Sequence, residues 1–528
     1  VCLAVYFVNL AGDRALTNHE MDPAGGARQM ISDGDWLIPR IGDHTWLEKP
    51  PLLHWLVAAS ILVTGSTGEW IARMPSAVAG TGVVLLVALV VGRWKGDKAG
   101  RVAGIIQCTS HYMIAYSLLG EADMLLALIV VAAIAVFIHL QGIGLPQPGR
   151  HPGFWGCVFW SLLGLSNLVK GPMFGVVMVL LPCLAWLLWQ RDRSAWRRLW
   201  SPAGIVLAVL IAAPWPALTL IAEPSALDLW LTHTVGRASG VVGEGDPWWY
   251  YLRKVPDQLL PWTIFTLIAL VTALKRMWRS ATSAERFSLL WALAPLIALS
   301  LASDKHHHYA MSCLPGFTLI TTNGLLAVAR KIGERNRYAI WGAWSCIAIV
   351  GPVLLVGGLV AGSYLPEHRV AAWLLGFVCG LGALATGRFV LSKQPERAFG
   401  AVVLTIILAV AQVYLQVIPA LDTRREDRAF LTTVDDHLPS DAVLFTTGGP
   451  KIVRDIYYVQ VPLSGVWVPT DIGQYLGDEA VFFVIGRMGI EAQLQQFGAV
   501  QIVSQSKLSH KEETLADRYT LFRVDRTG

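Results

Sequence analysis

Residues 13–55 read DRALTNHEMDPAGGARQMISDGDWLIPRIGDHTWLEKPPLLHW, a polar stretch with hydrophobic segments on both sides. It carries Asp13, Glu20, Asp22, Asp33, Asp35, Asp43 and Glu48 together with Arg14, Arg28, Arg40 and Lys49. So many charges gain nothing from lying in hydrocarbon. The stretch is therefore expected in water at a membrane face, and its acids and cations are the first candidates for chemistry. Within it, Asn18-His19-Glu20 puts a carboxylate where partial desolvation would raise its pKa toward the range of a general base. The competing reading is an acid placed near a helix N-terminus, where the dipole favours it, and spacing alone leans that way.

Four further constellations fall between apolar segments. In Trp46-Leu47-Glu48-Lys49-Pro50-Pro51 the two prolines fix the backbone after Lys49, so that Lys49 offers a phosphate a well-placed charge and Glu48 positions it or binds a metal. The alternative is a turn into an interfacial helix, with the lysine reaching toward headgroups. Glu121 and Asp123 sit at a predicted helix boundary; an ionisable residue at that depth suggests function, and helix capping explains it equally well. His233 to Arg237, followed by Asp246-Pro247-Trp248-Trp249-Tyr250-Tyr251, forms the fourth group. The fifth is Asp304-Lys305-His306-His307-His308-Tyr309. Three consecutive histidines are a weak metal signal because adjacent side chains do not converge, but Asp, Lys, His and Tyr together suit a phosphate-binding lid. A solvated loop is the alternative.

These residues must be positioned by membrane helices. The 528-residue chain is 54% hydrophobic and 15% charged, against the ~25% charge of ordinary soluble domains. Apolar runs near the ~20 residues that cross a bilayer recur throughout. They are placed at 1–12, 70–92, 102–120, 122–141, 154–169, 171–190, 203–222, 258–274, 287–302, 308–329, 339–361, 370–387 and 398–419, which makes an α-helical polytopic membrane protein of roughly thirteen spans. The first run is too short to cross alone and reads as the outer end of a helix that begins upstream. The stretch 52–65 reads as an interfacial or re-entrant segment. With this count the basic clusters at 93–101, 191–198, 275–279, 330–337 and 388–397 share one side, which the positive-inside rule makes cytoplasmic. All five constellations and Lys170 then face the other side. The seven cysteines lie in or beside apolar runs without CxxC spacing, which argues against a disulfide framework or zinc knot. The cations are scattered over turns, so no nucleic-acid partner is expected. Two domains are expected: 1–420 in the membrane, with 13–69 as its first outer loop, and 421–528 as a small outer α/β domain. Polar, helix-like 422–440 opens the latter, followed by β-type runs at 442–447, 456–462, 480–485, 499–504 and 519–524.

The segments GDWLIPRIGDHTWLEKPPLLHW, EWIARMPSA at 69–77, PWWYY at 247–251 and SDKHHHYAMSCLPGF at 303–317 resemble the polyprenyl-phosphate-sugar-dependent membrane glycosyltransferases of GT-C type, a group that includes the lipid A aminoarabinose transferases and is related to the protein O-mannosyltransferases. The resemblance runs in order from about residue 16 to 320. It implies inverting transfer of a sugar from an undecaprenyl-phosphate donor to a lipid, glycan or protein acceptor at the periplasmic face of the bacterial inner membrane. It further implies an Asp-Glu pair opening the first outer loop; here that pair is His19-Glu20, with His in place of Asp. By the same resemblance Glu20, Asp123 and His19 are the catalytic candidates, and Lys49, Arg237, Lys305, Tyr309 and Arg40 the donor-phosphate ligands. Glu48 matches an acid associated with a divalent metal. Thr234 replaces the histidine expected at the metal, with His233 beside it; Glu48 and His233 are the metal candidates, and a divalent metal stays open.

The expected function is therefore a membrane glycosyltransferase acting by electrostatics, with membrane lipids, a lipid-linked donor and an acceptor as partners. Lys49, Arg237 and Lys305 would hold the leaving phosphate, and Glu20 or Asp123 would take a proton from the acceptor hydroxyl. A secondary transporter or lipid flippase would show matching broken segments in two halves, and none is seen. An inactive scaffold of the same fold stays open because of His19.

Overall fold

The structure, a computed structural model, describes residues 1–12, 14–171, 173–232, 245–364, 368–422, 425–453, 457–459, 464–507 and 518–526. Two compact units divide the chain. One comprises Val1–Leu10, Glu48–Pro50 and Pro75–Val417, the other Ala11–Leu47, Pro51–Met74 and Ile418–Gly528.

The first unit is helical. Among the described residues, nine helices of the chain are long and apolar enough to cross a membrane: Glu69–Lys95, Ala122–Gln141, Pro152–Lys170, Pro202–Ala222, Ser283–Leu301, His307–Gly333, Arg337–Tyr364, Arg369–Leu391 and Pro395–Leu421. Each satisfies its own backbone hydrogen bonds, which is what hydrocarbon demands. Ala122–Gln141 is buried along most of its length, and Pro202–Ala222, Arg337–Tyr364 and Pro395–Leu421 are largely exposed, as lipid-facing helices must be. The chain is a polytopic membrane protein.

The remaining four expected spans take shorter forms. Run 1–12 holds the helix Cys2–Tyr6, run 171–190 the 17-residue helix Phe174–Gln190, and run 258–274 the helix Thr263–Met277. Run 102–120 is broken into Asp97–Cys108 and His111–Ser117. At the break Thr109 and Ser110 turn their hydroxyls back onto the carbonyls of Ile105 and Ile106, at 2.6 and 2.8 Å, and Trp262 Nε1 donates to Thr109 Oγ1 at 3.0 Å. Such back-bonding competes with helix continuation.

Contacts between helix ends sort the loops. At one set of ends Trp94 Nε1 donates to Ile143 O (2.7 Å), Gln141 Nε2 to Ala195 O (3.0 Å) and Gly144 N to Ser283 Oγ (3.1 Å), and Lys98 pairs with Glu396. These ends carry the basic clusters. At the opposite ends Ser76 Oγ donates to Glu121 O (3.1 Å), and Asp123, Lys170 and His308 meet.

The second unit is built on a five-stranded sheet. Its strands are β3 (Leu444–Thr447), β4 (Ser464–Val466), β5 (Val481–Arg487), β6 (Gly498–Gln505) and β7 (Tyr519–Arg526), in the order β4-β3-β5-β7-β6. Strand β3 is parallel to β4 and β5; β7 is antiparallel to β5 and β6. Four expected β runs coincide with strands. Of the run at 456–462 only Tyr457–Val459 are described, and these three are not in a strand. The Arg28 guanidinium donates to the carbonyls of Tyr457 and Val459.

Arg28 belongs to the helix Asn18–Asp33, so the first polar loop is part of this unit. Leu16, Met21, Ala24 and Ala72 pack with Phe430, Tyr457, Tyr458, Phe483 and Leu521 in one apolar core. A short hairpin, β1 (Arg40–Ile41) and β2 (His44–Thr45), lies against β4: Asp43 N donates to Gly465 O (2.8 Å) and Trp467 Nε1 to Ile41 O (3.1 Å), while the His44 and Trp467 rings stack at 3.9 Å. The hairpin thus covers one edge of the sheet, which would otherwise present unpaired backbone groups.

Two tests follow from this packing. Gly42 has φ +65°, and a Cβ there would lie 2.5 Å from Gly465 O; Gly34, φ +73°, has open space. Gly34→Ala should cost about 1 kcal/mol, the penalty of a left-handed L-residue, and Gly42→Ala distinctly more because the hairpin must lift. Comparing the thermal unfolding midpoints of the two variants checks this; equal losses would contradict the close approach.

Candidate functional site

Asp123 opens the helix Ala122–Gln141, with Glu121 at the N-cap making no side-chain cap bond. Its carboxylate lies in the first turn, where the helix dipole favours negative charge, and it is only 4% exposed. Burial of a charge is tolerated only with a partner. Lys170, at the C-terminus of Pro152–Lys170, supplies it through a direct hydrogen bond to Oδ1. The Lys170 ammonium also stands 4.4 Å from the centre of the Tyr309 ring and 5.4 Å from that of Phe174. His308 Nε2 approaches the same Asp123 Oδ1 at 3.8 Å. Lys49 is near enough to act electrostatically on both Asp123 and Lys170.

The histidine run is anchored through its backbone. Tyr251 donates its hydroxyl to His306 O at 3.1 Å, and Gln258 Nε2 donates to His307 O at 2.6 Å. Burial pushes the Tyr251 hydroxyl well above its ordinary pKa, which keeps it a neutral donor. Tyr116 adds a long contact to His307 Nδ1 at 3.4 Å. Lys305, three residues before His308, is buried and donates Nζ to Asp246 O at 2.8 Å and its amide to Asp246 Oδ2 at 3.3 Å.

Thus Asp123, Lys49 and Tyr309 come together in the first unit, with Lys170 and His308 added. The sequence reading placed Lys170 on the outer side without giving it a role. Its signal was a lone cation closing an apolar helix, with no counter-charge in its own loop. His233 and Arg237 lie outside the described residues. Glu48 is exposed. Among the described residues no three His, Cys, Asp or Glu side chains converge in a way that would hold a metal ion.

Glu20, His19 and Arg40 belong to the second unit. His19 is exposed, and Arg40 stands 3.7 Å from Asp35. Glu20 is fully buried. Its Oε2 accepts from Thr17 N at 2.9 Å in a capping box, and its Oε1 accepts from Arg73 Nε at 2.8 Å, with Arg14 at 3.4 Å. Arg73 is equally buried and also donates to the carbonyls of Arg14 and Ala15. Burial alone would raise the Glu20 pKa, but Arg73 and then Arg14 outweigh it and hold the carboxyl at about 2 against an ordinary 4.5. A carboxylate so tightly held is a poor proton acceptor at neutral pH. Its geometry is that of a clamp closing the helix Asn18–Asp33, the capping alternative set out from the sequence, reinforced by an ion pair that spacing did not reveal.

Residues 48–217 match the family model described as dolichyl-phosphate-mannose-protein mannosyltransferase. Among characterised proteins, the chain is 26% identical to the undecaprenyl phosphate-alpha-4-amino-4-deoxy-L-arabinose arabinosyl transferase of Shewanella sediminis over 79% of this chain and 76% of that one. It is 25% identical to the protein of the same name from Pectobacterium carotovorum, over 74% and 70%. Among solved structures it matches ArnT from Cupriavidus metallidurans bound to undecaprenyl phosphate, with a TM-score of 0.79 at 19% identity over 99% of this chain and 96% of that one. The fold is thus shared with a GT-C membrane protein along its whole length.

The Glu20 clamp is testable by pH. Because its folded pKa is depressed, the stability it contributes is fully present above about 4.5 and is lost as pH falls toward 2. At 1.36 kcal/mol per unit this is roughly 3 kcal/mol. Arg73→Met, which leaves the buried carboxylate with Arg14 alone, should cost about 3–5 kcal/mol at pH 7. Acid unfolding followed by tryptophan fluorescence checks both; a Glu20→Gln variant that keeps the full acid transition would show that Glu20 does not drive it.

Proposed function

We propose that the chain is an inverting glycosyltransferase that moves a sugar from a polyprenyl-phosphate donor to a lipid, glycan or protein acceptor at the periplasmic face of the bacterial inner membrane. The names of the similar proteins support the donor class, and none of those proteins is named as a transporter. The observation that carries the reading for this chain is the buried Asp123 carboxylate ringed by Lys170, Lys49 and His308 at the helix ends remote from the basic clusters. By the positive-inside rule those ends are periplasmic, and residues 421–528, which follow the last span, lie on the same side.

The chemistry is a single displacement. An acceptor hydroxyl attacks the anomeric carbon from the face opposite the phosphate, the sugar–phosphate bond breaks, and the lipid phosphate leaves with the bonding electrons. A phosphate is already stable as an anion, so the demand on the protein is for cations aimed at its oxygens in a site with little water. Lys170 and Lys49 supply them; by the family resemblance Lys305 and Arg237 would add further charge and Tyr309 a hydroxyl donor. The acceptor proton passes to Asp123, which becomes available as its lysine turns to the phosphate.

Three variants separate the roles. Lys170→Ala and Lys49→Ala should each weaken undecaprenyl-phosphate binding by about 10–100-fold, the value of a hydrogen bond to a charged group. Asp123→Asn should keep binding and lower turnover by roughly 10²–10⁴-fold. Transfer from a radiolabelled lipid-linked donor in proteoliposomes, with binding measured alongside, reads both. Unaltered binding in both lysine variants would remove the phosphate grip, and full turnover in Asp123→Asn would remove the base.

A further inference from the structure

Asp123 Oδ1 has two nitrogen neighbours on different elements: Lys170 Nζ in hydrogen-bond contact, and His308 Nε2 at 3.8 Å. The function proposed above, on which this inference rests, draws Lys170 toward the donor phosphate. The donor phosphate is a diester with one negative charge; as the sugar–phosphate bond breaks it becomes a monoester, which carries between one and two negative charges near neutral pH and attracts an ammonium more strongly than one carboxylate does. The carboxylate left behind, 4% exposed, then loses its counter-charge, a situation that buried ions do not tolerate.

We propose that His308 takes over Asp123 when the lipid phosphate draws Lys170 away, so that binding of the lipid phosphate is coupled to uptake of a proton by His308. The imidazole is already aimed: closing from 3.8 Å to hydrogen-bond distance needs a movement of about 1 Å. It is held by its surroundings, stacked on His306 at 5.4 Å with an interplanar angle of 7° and edge-on to Tyr309 at 4.9 Å and His307 at 5.3 Å. The bonds from Tyr251 and Gln258 pin the backbone on its N-terminal side, so ring rotation rather than loop movement closes the gap. The titratable and charged groups around it are Asp123 on Ala122–Gln141, Lys170 on Pro152–Lys170, Tyr116 on His111–Ser117, and its own neighbours His306, His307 and Tyr309. With Lys170 engaged by phosphate, only Asp123 among them is an anion. The proton comes from solvent and stays on the imidazole. His308 is thus a positioning residue, holding Asp123 charged and oriented toward the acceptor hydroxyl.

The test is calorimetric titration of the full chain with undecaprenyl phosphate in two buffers of different ionisation heat, between pH 6 and 8. The wild type should take up more protons on binding than His308→Gln, and its affinity should rise more steeply as pH falls, the excess reaching up to about tenfold per pH unit. Asp123→Asn should lose the same excess, and His308→Asn serves if the glutamine variant does not fold. Protonation of the phosphate itself is common to all and cancels. Equal uptake and equal pH slope in wild type and His308→Gln would overturn the proposal. Binding with proton uptake but no sugar transfer would sink the glycosyltransferase reading alone, transfer without the excess uptake would sink this inference alone, and absence of binding would sink both.

Discussion

A charge at the edge of a bilayer must have a partner, and much of this protein follows from that. Asp123 and Lys170 lie at the ends of two largely apolar helices, and neither would be tolerated there alone. Their pairing fixes which end of Ala122–Gln141 meets which end of Pro152–Lys170, and with it the side on which polar chemistry gathers. The basic clusters obey the same rule at the opposite ends, where Lys98 finds Glu396 and the arginines stay exposed. Between these levels the described helices are held by apolar packing and by short hydroxyl contacts such as Thr266 to Thr321 at 2.6 Å and Thr318 to Gln107 at 2.5 Å.

The second unit solves the same problem in a different medium. In it Glu20 and Arg73 are both completely buried, and each is saturated: the carboxylate by Thr17, Arg73 and Arg14, the guanidinium by the carboxylate and two carbonyls. Such a pair is costly to form and costlier to break, so it specifies one arrangement of the helix Asn18–Asp33. Asp123 has no comparable saturation. One flexible lysine in contact and one histidine at longer range are partners that can be exchanged.

The membrane helices were legible because composition and length report them directly: an apolar run of about 20 residues has few other uses. The break at Thr109-Ser110 was not, since its cause is an indole from Trp262, some 150 residues away, and two hydroxyls whose back-bonding is a matter of rotamer. Four strands of the sheet showed as β-type runs. For the site, Asp123, Lys49 and Tyr309 stood out as polar residues between apolar runs. Lys170 did not, because a lysine closing a helix has an ordinary explanation in headgroup contact.

Glu20 shows why spacing cannot separate a base from a clamp. Both roles want a carboxylate at the start of a helix, partly withdrawn from water. What distinguishes them is whether the partner can leave, and at Glu20 that partner is Arg73, more than fifty residues away. At Asp123 the opposing cation is a lysine, whose single charge on a flexible stem can be claimed by a phosphate, whereas the fork of a buried arginine bound to two carbonyls cannot leave. Lysine at one acid and arginine at the other therefore give the two carboxylates partners of different mobility.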